Sequence, residues 1–91
     1  MNTERITQMR ALLEQAFQPT HLEIEDQSHL HVGHAGAREG KGHFQVDILA
    51  EAFSGKPLIQ RHRLVYDALG DMMETEIHAL IIHAAPPDSA E

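Results

Sequence analysis

The chain reads as a small α+β domain with the order helix, strand, strand, helix, strand. Three observations carry that reading. An apolar stripe at helical spacing opens the chain, and two short alternating segments then flank a stretch rich in glycine and histidine. A glycine–proline turn leads into a second helical pattern, followed by an apolar run of strand length. The expected architecture is one three-stranded mixed sheet with the helices on one face.

Thr3 is the expected N-cap of the first helix, whose buried stripe is Ile6, Met9, Leu12, Leu13, Ala16 and Phe17; Pro19 ends it. Leu22 and Ile24 alternate with Glu23 and Glu25, giving a strand with one face on the core and one in water. From His29 to Gly42 the glycines at 33, 36, 40 and 42 discourage regular structure, so a loop is expected. Phe44, Val46 and Ile48 alternate with Gln45 and Asp47 in a second strand, antiparallel to the first. Ser54-Gly55-Lys56-Pro57 forms a turn, because Gly tolerates unusual backbone angles and Pro suits a first helical position. The second helix spans about Leu58 to Leu69, Gly70 stops it, and Asp71 to Glu76 is a connection or a further short turn. Ile77 to Ala84 is apolar apart from His78 and His83, and its length suits a buried strand. Because a helix lies in the crossover, this strand should pair parallel to the second. The domain is therefore residues 1–85, with residues 86–91, PPDSAE, as a disordered tail.

Ninety-one residues suit a single domain, and with aromatics at 4% the core must be built mainly from aliphatic side chains and three Phe. There is no cysteine, which excludes disulfides, thiolate catalysis and a metal site made only of this chain's thiolates. The first seventeen residues are amphipathic and carry acids, unlike a signal peptide, and nowhere do eighteen apolar residues follow one another, so a cytoplasmic protein is expected. A formal charge of −7 works against nonspecific binding to a phosphate backbone. Eight histidines make the charge pH dependent, since an unperturbed imidazole titrates near ~6.5.

His29, His31 and His34 fall within six residues of the glycine-rich loop, and imidazole is a common ligand for Zn, Cu and Fe. Loop histidines of this kind are also often solvated and bind metal only adventitiously. His78, heading the last strand, reads on its own as a hydrogen-bonded strand-end histidine. Lys56, Arg61, His62 and Arg63 are the one concentrated basic region, suited to phosphate or an acidic protein, or simply a solvated helix face. Gly33-His34-Ala35-Gly36 matches the letters GxxG but lies between strands rather than helices, so it reads as chance. Met72-Met73 reads as packing, and His43 as an exposed strand residue. No phosphate loop or nucleophile motif marks an enzyme.

The phrase FSGKPLIQRHRLVYDAL with IHAL downstream, together with Leu22 to Ser28 and Gly42 to Val46, resembles the BolA family of small proteins linked to iron–sulfur handling and gene regulation. The likeness covers all but the first few and last eight or so residues. It implies the element order given above, similar to the class II KH topology. It further implies a [2Fe-2S] cluster shared with a monothiol glutaredoxin and glutathione, held here by His78 and a loop histidine. His31 matches the family's loop position; His34 is the substitute and His29 a weaker one. Imidazole in place of thiolate raises a cluster's potential and makes its ligation sensitive to protonation. The alternative implied by the resemblance is a DNA-binding regulator of stress or morphology genes using Lys56 to Arg63. A weak homodimer is compatible with either.

Overall fold

Helix α1 (Asn2–Phe17) places Met9 and Leu13 in the core with no exposure, and packs Ile6, Leu12 and Phe17 against it. The computed structural model from which this is read describes residues 2–27 and 41–88. Ala16 is exposed, so the buried stripe is narrower than its spacing predicts. The helix begins before Thr3, which therefore lies inside it rather than at its cap; helix ends are encoded only to within a residue or two. At the other end Gln18 takes a left-handed φ of 49°, its N–H still on the Glu14 carbonyl at 2.9 Å, and Pro19 cannot continue the helix.

Strand β1 (His21–Asp26) pairs antiparallel with β2 (Gly42–Leu49), Leu22 opposite Ile48 and Ile24 opposite Val46. Gly42, expected in the loop, is the first residue of β2. A 3-10 turn (Glu51–Phe53) and Gly55, with φ of 72°, lead to helix α2 (Leu58–Leu69). Pro57 stands just before that helix rather than at its first position, its carbonyl accepting the N–H groups of Gln60 and Arg61 at 3.0 and 3.1 Å. Gly70, φ 56°, closes α2 through its N–H on the Tyr66 carbonyl at 3.0 Å. The short helix α3 (Met72–Thr75) occupies the expected connection.

Strand β3 (Ile77–Ala85) pairs parallel with β2, so the sheet is mixed, with order β1-β2-β3. Phe44, Val46 and Ile48 stand in the middle of the core, with Val65 and Leu69 of α2 buried in the same cluster; the Phe17 and Phe53 rings pack 5.0 Å apart. The expectation of a buried third strand needs correction. Ile77, Ile82 and Ala84 are buried, but His78, Ala79, Ile81 and His83 are exposed. The helices cover one face of the sheet only, and β3 lies at its edge, so an apolar run of strand length has one face in solvent.

Leu13→Ala removes a fully buried side chain and should cost about 2–5 kcal/mol in urea unfolding. Leu58→Ala, at 63% exposure, should change stability by less than about 0.5 kcal/mol.

Candidate metal-ligand site at the start of the third strand

The backbone at the start of β3 changes its parity. The Gly42 N–H donates to the Glu76 carbonyl at 3.0 Å, and the Ala50 N–H donates to the Ala85 carbonyl, also at 3.0 Å. Both carbonyls face β2, yet residues 76 and 85 lie an odd number apart and would point to opposite sides in an unbroken strand. The register accounts for this: Gly42 stands opposite Ile77, but His43 stands opposite Ala79, leaving His78 as the extra residue of a bulge. The bulge turns both His78 and Ala79 outward, while Ile77 beside them stays in the core.

The His78 ring lies against that of His43, centroids 5.0 Å apart and planes tilted by 54°. This corrects the expectation for His43, which is only 5% exposed. Alternation with Phe44 assigns it to the open face of the sheet, and the bulge folds the neighbouring imidazole against it. The Gln27 N–H donates to the His43 carbonyl at 2.7 Å, and Lys41 leads directly into Gly42. The segment 28–40 therefore leaves and rejoins the described fold at the end of the sheet where His43 and His78 stand. His29, His31 and His34, with the GxxG letters, lie outside the described residues.

Arg5 steadies this end from α1: its Nε donates to Glu76 Oε1 at 2.8 Å. That hydrogen bond holds the Glu76 carboxyl below its ordinary 4.5. Among the described residues no three His, Asp or Glu side chains converge as metal ligands. His78 thus offers an exposed imidazole next to the anchors of the segment that carries His29, His31 and His34.

The basic region does not form a uniform patch. Arg61 is half-buried and spends its guanidinium on backbone carbonyls, Nε to Lys56 at 2.8 Å and Nη1 to Ala84 at 2.9 Å, tying α2 to β3. His62 is half-buried and Arg63 is exposed. Arg61, His62 and Leu58 line a groove of about 920 Å3 against Ile82, His83 and Ala84. On the open face, Gln27 donates to Gln45 at 3.0 Å, Gln45 to Asp47 at 3.3 Å, and Asp47 Oδ1 meets His83 Nδ1 at 2.8 Å. Sequence reasoning missed Arg5, the His43–His78 contact and the Asp47–His83 pair, since helix packing brings the first to Glu76 and only the strand register brings the others together.

The model for BolA-like proteins matches residues 13–89. The chain is 44% identical over 84 residues to SufE-like protein 1 of Arabidopsis thaliana, covering 87% of this chain and 23% of that protein. It is 39% identical over 89 residues to the chloroplastic protein BOLA1 of the same plant, covering 94% and 56%. It is 38% identical over 71 residues to the DNA-binding transcriptional regulator BolA of Escherichia coli, covering 78% and 65%. The chain thus spans less than two thirds of each of these relatives. Among solved structures, the BolA domain of SufE1 from Arabidopsis thaliana superposes with a TM-score of 0.81 at 43% identity, covering 91% of this chain and 92% of that one. The solution structure of mouse BolA1 gives 0.75 at 40% identity, covering 89% and 63%. The chain belongs to the BolA family, and its sheet and helices are those of a BolA domain. No described helix is long and apolar enough to cross a membrane.

Because the folded value of Glu76 is depressed, its contribution is present above 4.5 and is lost as pH falls through the lower folded value. Thermal melts of wild type and Glu76→Gln should therefore differ at neutral pH and converge in acid, by a modest amount because the pair lies at the surface. Arg61→Ala, which strips two carbonyls of a charged donor, should cost roughly 1–3 kcal/mol in urea unfolding, and Arg63→Ala should be near neutral.

Proposed function

We propose that this protein is a BolA-type adaptor, rather than a catalyst, that pairs with a monothiol glutaredoxin and holds a shared [2Fe-2S] cluster for iron–sulfur trafficking or iron sensing. The observation that carries the proposal is the bulge, which presents His78 to solvent beside both anchors of the segment containing His29, His31 and His34. His78 is the ligand from the folded part of the domain, His31 the ligand from the segment, and His34 its substitute. The chain has no cysteine, so the thiolates come from the glutaredoxin and its glutathione. The cluster, when bound, supplies a redox-active iron–sulfur unit that can be passed on. Metal ligation by an imidazole competes with protons, so acid favours release of such a cluster. We place this activity in the cytoplasm, although relatives are named for the chloroplast and mitochondrion.

DNA binding through Lys56, Arg61, His62 and Arg63 is the second reading. It is favoured by the name of the Escherichia coli relative. It ranks second because the net charge is −7 and Arg61 already bonds two carbonyls of its own chain.

Anaerobic reconstitution with a monothiol glutaredoxin and glutathione, followed by visible circular dichroism, tests the first reading. A spectrum distinct from the glutaredoxin's own should appear with wild type and disappear with His78→Ala. Retention of the wild-type spectrum by that variant rejects His78 as a ligand. Absence of any new spectrum, together with salt-sensitive promoter binding lost in Arg63→Ala, transfers the case to DNA.

A further inference from the structure

The outer edge of β3 is protected only at its ends, and the stretch between them has a pattern complementary to itself. We propose that it pairs two copies of this chain antiparallel about a two-fold axis at Ile81, joining two three-stranded sheets into one continuous sheet.

The direction of the edge groups follows from the hydrogen bonds already described. Ala85 turns its carbonyl to β2, so His83, Ile81 and Ala79 do the same, and the N–H and C=O groups of Ala84, Ile82 and Leu80 point away from the sheet. Arg61 Nη1 meets the Ala84 carbonyl at one end of this edge, and the bulge at His78 breaks it at the other. Between these ends, Leu80 and Ile82 present outward backbone groups with no strand upon them among the described residues. Sheet edges are usually blunted by charge, proline or shortness. Strand β3 is nine residues long and contains neither proline nor any Lys, Arg, Asp or Glu.

With Ile81 of one copy opposite Ile81 of the other, Leu80 falls opposite Ile82 in both directions. These are the two residues whose backbone groups point outward, so the pairing forms two hydrogen-bonded pairs with four hydrogen bonds between them. Side chains match as well. Ile81, 48% exposed and standing alone on the open face, meets its own copy, and small Ala79 faces His83. Leu80 and Ile82 meet on the opposite face. The edge is free of carboxylates and ammonium groups, so pairing brings no like charges together in a chain of net charge −7. Four hydrogen bonds and a few side chains bury less than the ~1,200 Å2 of a stable interface, so the dimer is weak and forms at high protein concentration.

The chain's lack of cysteine makes a direct test available. In the proposed pairing two Ile81 Cα atoms lie about 4.5 Å apart, within disulfide reach, whereas two Ala79 residues are offset by four positions, about 13 Å. Ile81→Cys should therefore form a covalent dimer under mild oxidation many times faster than Ala79→Cys or His83→Cys. Sedimentation velocity of the wild type should show a concentration-dependent dimer that Ile81→Lys, a change at an exposed position, removes without altering its far-ultraviolet circular dichroism. Equal crosslinking of the three cysteine variants overturns the inference, as does a wild-type chain that stays monomeric at millimolar concentration. Capture of an extended peptide on the same edge by such a monomeric chain also overturns it, since the edge then serves another occupant.

Discussion

The parallel pairing of β2 with β3 is the constraint on which the rest of the domain depends. A parallel partner is reached only by a crossover, and this chain spends residues 50–76 on it, with α2 and α3 inside. The crossover must lie on one face, and there it covers Phe44, Val46 and Ile48 while leaving the other face to Gln45, Asp47 and His83. It also closes at both ends of the strand pair, at Gly42–Glu76 and at Ala50–Ala85, with incompatible parity. One residue has to be surplus, and that residue is His78. The exposure of this histidine is thus a consequence of how the crossover is closed, not of a loop free to place it.

The same closure engages part of the basic run with the chain's own backbone. Helix α2 begins next to the far end of β3, where no strand among the described residues receives the Ala84 carbonyl. Arg61 reaches that carbonyl and the Lys56 carbonyl together, fixing the glycine–proline turn to the strand edge. A guanidinium bonded to two carbonyls is partly desolvated and has fewer donors left for a phosphate. QRHR therefore reads as a fastening of the crossover as much as a charge cluster, which distinguishes Arg61 from the exposed Arg63.

What was legible in the sequence follows from how local each signal is. The bounds of α2 came from Pro57 and Gly70, residues that act on their own backbone, and the parallel pairing came from the presence of a helix in the crossover. Side-chain exposure on β3 was not legible, because an apolar run of eight has the same appearance whether one face or two are covered. His43 failed for a related reason: alternation put it correctly on the open face, but a bulge in the next strand, beyond the whole crossover, determines what lies over it. The assignment of His78 rests on likeness to a family rather than on spacing, and the bulge that exposes its side chain was not legible in the sequence. The loop ligand remains an assignment from sequence, since His31 and His34 are outside the described residues.

In the proposed reading, a ligand shared between two proteins meets conflicting demands, and the bulge suits both. The imidazole must be accessible from outside, yet its backbone must be fixed well enough to hold a metal in one place. In a regular strand the residue after buried Ile77 would alternate with its neighbours along the open face. The surplus residue instead puts His78 and Ala79 outward in succession, clearing space with an alanine next to the imidazole. Ile77 in the core, the Gly42–Glu76 hydrogen bond and the Arg5 contact to the Glu76 side chain fix the backbone from three directions. The result is an exposed imidazole on a well-anchored backbone, and in the proposed reading it is one ligand of a site that the histidine segment and a thiol-bearing partner complete.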